Sequence, residues 1–228
     1  MASPFQAIPV RRVSLLSVRA SEMALEDSGL KDDPEIKTGA MGVSYGSCTG
    51  STDAVTEFGG LMVSGKLGRF NATTYLRMMS HTAAVNIGLY LGLKGRVIPT
   101  CSACTSGSQG IGYAYEAIQS GRQVAMIAGG AEELHPMDAA VFDTLFATST
   151  RNDEPELTPR PFDAERDGLV LGEGGCSFIL EELSHAEIRR VAPALQAADP
   201  AQLPVLEDRG PAERAAHEAA LPQLVRQF

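Results

Sequence analysis

The stretch VIPTCSACTSGSQGIGYAYEAIQSGRQVAMIAGG, from Val97 to Gly130, decides the fold. Val97 to Thr100 reads as a short buried strand, Cys101 to Cys104 as a tight turn, and Thr105 to Ser120 as a helix. Val124 to Ala128 reads as a second buried strand, ended by Gly129 and Gly130. A strand, a helix and a strand in that order imply a crossover between parallel strands, which places the chain in the α/β class. The helix carries Gly107, Gly110 and Gly112. Each costs ~0.8–1 kcal/mol against alanine, so close packing has to offset about 3 kcal/mol. A helix pressed between two other layers accounts for them.

Outward from this unit, Val13, Leu15, Leu16, Val18, Met23 and Leu25 fit an amphipathic helix over Val13 to Leu25, stopped by Asp27-Ser28-Gly29. Ala40 to Tyr45 reads as a short strand ending in Gly46-Ser47, and Tyr75 to Leu93 as one helical stretch closed by Lys94-Gly95. Asp138 to Phe146 is expected to be a further helix. Leu169 to Leu171 and Cys176 to Leu180 read as strands meeting around Gly172 to Gly175. Beyond His185 the composition shifts to Ala, Pro, Arg and Glu with no strand pattern, so a boundary is expected near Ala186.

With 228 residues, 44% of them hydrophobic, the chain can bury one sizeable core. Its 28 acidic and 19 basic residues give a net charge of -9 without charge runs, which argues against nucleic acid and anionic membranes as partners. No run of about 20 apolar residues offers a membrane span. The four cysteines, Cys48, Cys101, Cys104 and Cys176, follow no secreted framework and no signal peptide precedes them, so reduced thiols in a cytoplasm are expected.

Cys104 is the candidate nucleophile, because it sits where a buried strand hands over to a helix. A sulfur there meets the free first-turn amides and the positive end of the helix dipole, and the same amides can stabilise an oxyanion. The plain alternative makes Cys104 a small buried core residue. A second alternative takes Cys101 and Cys104 as a C-x-x-C redox pair, although the chain has no tryptophan and a redox protein has no need of the glycine-rich helix. No histidine pair has metal-ligand spacing, and no metal is expected. His81, His135, His185 and His217 lie in unrelated contexts, with surface or structural roles as the default. The alternating charges from Arg160 to Gly168 read as a structural ion-pair cluster.

Four segments carry a resemblance: Ser102-Ala103-Cys104-Thr105-Ser106-Gly107, Ala128-Gly129-Gly130-Ala131-Glu132, Ser149-Thr150-Arg151-Asn152-Asp153, and Arg160-Pro161-Phe162-Asp163 with Arg166-Asp167-Gly168. In order and spacing they resemble the β-ketoacyl synthase signature, in particular the elongating enzymes of type II fatty acid or polyketide synthesis. The resemblance runs from about Val13 to Ala186. It implies the thiolase-like fold, in which two similar halves stack in five layers. This chain would supply an incomplete N-terminal half, a mixed sheet with helices on both faces. The expected domain is 1–186 without the family's first strands, followed by an unrelated tail, 187–228, helical or disordered.

The resemblance also implies roles. Cys104 would take an acyl chain, with its own amide as one oxyanion donor, and then condense it with malonyl-(acyl carrier protein) by decarboxylation. Phe142 would line the acyl pocket. Cys48 or Thr49 falls where the family often places a bulky residue at the pocket floor, so a small side chain there implies longer or stiffer chains. Gly107, Gly110, Arg160, Asp163, Arg166 and Asp167 would be structural. No cofactor is expected beyond the phosphopantetheine of the acyl carrier protein. The implied partners are that carrier, malonyl and acyl thioesters, and a second copy in a homodimer or a paired subunit.

The family's second half, with its two histidines, lysine and glycine-rich loop, has no counterpart in this sequence. Losing one oxyanion donor costs ~2.7–4 kcal/mol and losing an acid-base group ~10²–10⁴-fold in rate, so condensation by this chain alone is expected to be negligible. The alternative is a non-catalytic partner of the chain-length type, or a gene remnant. Retention of Cys104 favours descent from an enzyme.

Overall fold

The computed structural model describes residues 11–189. The chain divides into two compact units, Met1–Glu182 and Leu183–Phe228. In the second unit the structure describes 183–189 alone, all of them helical. The tail expected from 187 onward lies almost entirely outside the described residues, as do His217 and residues 1–10, on which the expected lack of the family's first strands bears.

The first unit is built on a four-stranded sheet. Its strands are β1 (Met41–Gly46), β2 (Val97–Thr100), β3 (Ala125–Glu132) and β4 (Gly174–Glu181), in the order β2-β1-β3-β4. β1 runs parallel to β2 and β3, and β4 pairs antiparallel with β3, which makes the sheet mixed. β1 is buried along its whole length, and Val43 and Tyr45 have no solvent exposure at all.

Because successive strand residues point to opposite faces, β3 builds two cores. Ala125, Ile127 and Ala131 join Val43, Tyr45 and Ile87 on one face, while Met126 and Ala128 join Ala114 and Ala117 on the other. Helices α1 (Arg12–Ser28) and α4 (Thr82–Leu91) cover the first face, and α5 (Ser106–Gln119) covers the second. This is the expected mixed sheet with helices on both faces.

α1 packs through Val13, Val18 and Leu25 and through a stripe of buried serines, while Leu15 and Met23 point outward. The serines are tolerated because their hydroxyls are bonded: Ser17 to the Ser14 carbonyl (2.9 Å) and Ser21 to that of Ser17 (2.8 Å), while Asn86 reaches Ser14 Oγ (2.9 Å). Gly29, at φ 72°, ends α1 in the left-handed conformation, as its stop signal requires.

Several sequence expectations need correction. The single helix over Tyr75 to Leu93 is two, α3 (Ala72–Arg77) and α4, with a break at 78–81. The break has a tertiary cause: the amides of Ser51 (2.7 Å) and Gly50 (3.4 Å) take the carbonyls of Arg77 and Met78, which a continuous helix would use internally. α4 closes at Gly92 (φ 69°), not at Gly95. Between β1 and α3 lies an unanticipated helix, α2 (Thr52–Ser64). β2 is no buried strand; it forms the sheet edge with Val97 42% exposed, and only Thr100 is buried.

β3 does not stop at Gly129-Gly130 but runs on to Glu132, because both glycines pair with β1 on one side and β4 on the other. Leu169 to Leu171 makes no sheet strand. Leu169 instead exchanges bonds with Ala147 and Ser149 (2.9 Å each) in an isolated bridge. The helix expected over Asp138 to Phe146 is α6 (Pro136–Thr144), started two residues early by His135, whose Nδ1 accepts the Met137 amide (3.1 Å).

The three glycines of α5 are not equivalent. A methyl group on Gly110 would sit 3.0 Å from the Ser44 carbonyl and one on Gly107 3.6 Å from Gly130, whereas one on Gly112 would meet nothing within 4 Å. Only the first two serve close packing in this chain, and the offset expected at Gly112 is not found among the described residues.

Candidate active site

β1 ends at Gly46, opposite Gly130 of β3, and α5 starts over this point. The approach is so close that a methyl on Gly46 would lie 2.3 Å from the carbonyl carbon of Ser106. Ser106 fastens the turn. Its carbonyl accepts the Thr100 hydroxyl (2.7 Å), and its own hydroxyl donates to the Ala103 carbonyl (2.6 Å) and accepts the Ser102 amide (2.9 Å). Ala103 is held at φ 52°, a left-handed conformation costing a non-glycine residue ~1–3 kcal/mol. That strained residue directly precedes Cys104.

Cys104 is exposed and stands just before Thr105, the N-cap of α5. The alternative of a thiol sealed in the core is thereby excluded. It forms part of the wall of a cleft of about 510 Å³, between the β1, β3 and β4 ends, the start of α5, and α6. Cys48, Thr49, Cys104, Gly107 and Phe142, far apart in the chain, meet there. Ile111, Leu134, Leu171 and Phe178 add apolar walls. An extended apolar substituent attached at Cys104 therefore has hydrocarbon to lie against, worth ~25 cal/mol per Å² buried.

Two adjacent carboxylates shape the mouth. Glu132 accepts the Cys48 amide (2.6 Å) and the Ser47 hydroxyl (3.4 Å), and the buried Glu133 accepts the Thr52 amide (2.6 Å) and, in a short bond, its hydroxyl. Glu133 thus caps the first turn of α2 from outside, which explains why the Ser51 side chain does not cap that helix. Burial pushes the Glu132 carboxyl above the usual carboxylate range, partly offset by the Cys48 amide and the Ser47 hydroxyl. Burial also pushes the Cys48 thiol up, and the Glu132 charge adds to it.

Not every singled-out residue comes to the cleft. Gly110 lies behind it against Ser44 and Gly129. Arg160 pairs with Asp163 (3.4 Å) and Glu165 (3.2 Å), and Arg166 Nη1 donates to the Asp163 carbonyl (2.8 Å). Asp167 accepts from Ser149 and the Thr150 amide (3.0 Å) and pairs with Arg151 (3.4 Å), so this loop ties the chain to itself away from the cleft wall. Cys101 turns its Sγ to the Cys48 carbonyl (3.3 Å). His135 caps α6 and faces Asp53 (3.5 Å), and no histidine lines the cleft among the described residues. Nor is any cluster of three or more His, Cys, Asp or Glu placed to hold a metal among them.

Sequence reasoning passed over Glu133, Cys176 and Phe178. Cys176 and Phe178 occupy alternate positions of β4, a period-two signal that marks one shared face but not which face turns to the cleft. Among the described residues no helix is long and apolar enough to cross a membrane.

The comparisons agree with this geometry. A family model described as the β-ketoacyl synthase N-terminal domain matches residues 1–186. A tetracenomycin polyketide synthase ketoacyl synthase alpha subunit from Streptomyces glaucescens is 34% identical over 202 residues, covering 82% of this chain and 45% of that protein. A 3-oxoacyl-(acyl-carrier-protein) synthase 2 from Vibrio cholerae is 40% identical over 177 residues, covering 75% of this chain and 42% of its own length. The crystal structure of a β-ketoacyl synthase from Burkholderia phymatum superposes with a TM-score of 0.77 at 56% identity, over 80% of this chain and 45% of that one. The chain spans about half the length of the relatives it matches. With four signature segments in order, a mixed sheet flanked by helices and an exposed cysteine at a helix start, the chain belongs to the β-ketoacyl synthase family, whose N-terminal domain it carries.

Proposed function

We propose that Cys104 accepts an acyl chain from the phosphopantetheine thioester of an acyl carrier protein, as the first half-reaction of a β-ketoacyl synthase of fatty acid or polyketide synthesis. The Cys104 sulfur attacks the thioester carbonyl carbon, and a tetrahedral oxyanion forms against the Cys104 amide at the α5 start. As it collapses, the bond to the carrier's sulfur breaks, the carrier thiol leaves with the proton, and the acyl chain stays on Cys104. The observation that carries this reading is one exposed sulfur at a helix N-terminus opening into a cleft whose walls are otherwise largely apolar.

The acyl chain lies toward Phe142, with Cys48 and Thr49 as the small residues that leave room for longer or stiffer chains. Condensation with a malonyl donor would draw on the histidines that the resemblance places in the family's second half, and no histidine lines this cleft among the described residues, so the chain alone stops at the acyl-enzyme. Cytoplasmic location and pairing with a second copy or a companion subunit belong to the same proposal.

The test is intact-protein and peptide mass spectrometry after incubation with acyl-(acyl carrier protein) of graded chain length. One acyl group on Cys104, absent in Cys104→Ala and retained in Cys101→Ser, is the expected result. Acyl groups spread over several cysteines, or none at all, would refute the transfer; adducts of short chains only would remove the role given to Cys48 and Thr49.

A further inference from the structure

Three exposed thiols, Cys48, Cys104 and Cys176, line the cleft, a fourth, Cys101, stands beside Cys48, and acyl transfer uses one of them. β1 and β2 run parallel with Gly46 opposite Thr100, and the Ser47 amide donates to the Thr100 carbonyl (3.2 Å), so both chains leave the sheet side by side. Cys101 follows Thr100 directly, and Cys48 stands one residue beyond Ser47. The Sγ of Cys101 lies 3.3 Å from the carbonyl oxygen of Cys48, against the backbone of the residue that carries the second sulfur. Strands ~4.8 Å apart with a rise of ~3.3 Å per residue put such a diagonal pair roughly 6 Å apart at the Cα atoms, within the ~4.4–6.8 Å that a disulfide spans.

The other pairing, Cys101 with Cys104, is disfavoured by the turn. The left-handed Ala103 puts Cys104 on the cleft wall, while Cys101 is not among the residues lining it. Of the two thiols acting on Cys48, Cys101 weighs more than Cys104, in keeping with its proximity. Both Cys48 and Cys101 are exposed, and β2, as the sheet edge, can shift at small cost.

We propose that Cys48 and Cys101 are a redox modification site that closes to a disulfide when the chain meets a hydroperoxide, with Cys104 outside the bridge. The hydroperoxide oxidises the Cys101 sulfur to a sulfenic acid, its O–O bond breaks, and it leaves as the alcohol, or as water when the oxidant is hydrogen peroxide. The Cys48 sulfur then attacks the sulfenic sulfur; the S–S bond forms, the S–O bond breaks, and hydroxide leaves with the thiol proton as water. Two electrons pass from the two sulfurs to the peroxide, and two equivalents of a monothiol such as glutathione reverse the bridge. The inference stands whether or not Cys104 takes an acyl chain.

The full chain is treated with hydrogen peroxide, its remaining thiols are blocked with iodoacetamide, and it is digested without reductant. The expected product is an intramolecular link from the Cys48 peptide to the peptide bearing Cys101 and Cys104, with fragmentation placing the bridge on Cys101 and not on Cys104. The link persists in Cys104→Ser and disappears in both Cys101→Ser and Cys48→Ser, each checked by circular dichroism to be folded. A link that survives in Cys101→Ser, a bridge between Cys101 and Cys104, a link between two chains, or no link overturns the proposal.

Discussion

Replacing Gly46 by alanine tests the claim that a glycine at the β1 end positions Cys104. The added methyl would stand 2.3 Å from the carbonyl carbon of Ser106, 2.4 Å from its oxygen and 2.7 Å from the Gly107 amide nitrogen, all backbone atoms that cannot rotate away. Restoring ordinary contact near 3.4 Å requires α5 to retreat by about 1 Å. That motion breaks the bond from Thr100 Oγ1 to the Ser106 carbonyl (2.7 Å) and disturbs the turn that carries Cys104. Alanine in a strand gains ~0.5–1 kcal/mol of backbone entropy, while overpacking a filled core costs ~1–3 kcal/mol, so the net effect is destabilising.

Gly112→Ala is the control, because its methyl meets nothing within 4 Å. It should stabilise α5 by ~0.8–1 kcal/mol through helix propensity. Urea denaturation followed by circular dichroism reads both signs. Alkylation or acylation of Cys104 reads the site, where a displacement of about 1 Å costs on the order of 10²-fold in an oriented reaction. A Gly46→Ala chain as stable as the parent, with Cys104 equally reactive, would refute the packing account.

Further predictions concern the polar groups around the cleft. Glu133→Ala leaves the Thr52 amide and hydroxyl without their acceptor and should cost ~1–3 kcal/mol in urea denaturation, with loss of helix signal from α2. Glu132 has its folded-state pKa raised by burial, so the folded chain holds that proton more tightly than the unfolded one. Its contribution to stability therefore falls as pH rises from ~4.3 through the raised value, and Glu132→Gln should flatten that part of the stability profile. Tyr45, whose hydroxyl donates to the Gly130 (3.1 Å) and Cys176 (3.2 Å) carbonyls, is pushed up to about 12 by burial. Thermal melts should show stability falling between about pH 10 and pH 12 in the parent chain and a smaller fall in Tyr45→Phe.

The order of elements around Cys104 was legible in the sequence because it rests on local signals. A short apolar run closed by a turn, a glycine-rich stretch of helix length and a second apolar run specify strand, helix and strand with little help from the rest of the chain. The helix over residues 12–28 and its glycine stop were legible for the same reason. Where tertiary contacts overrode local preference, the reading failed. The amides of Gly50 and Ser51 split one helical stretch in two, and the Glu133 carboxylate, 81 positions away, caps α2 in place of a local side chain. Glycine by itself did not say which of Gly107, Gly110 and Gly112 was needed; the answer depends on what lies opposite, which only the packed sheet supplies.

The candidate nucleophile could be named from its place at a strand-to-helix turn, but its exposure and its cleft could not. Cys48, Cys104, Phe142 and Phe178 are brought together by the pairing of β1, β3 and β4, contacts between residues 42 to 84 positions apart. The sequence by itself determined the chemistry available and the local elements, because propensity and periodicity act over a few residues. Only the tertiary structure decided which sulfurs and carboxylates share one cleft, because burial, capping and long-range pairing are settled when distant segments pack.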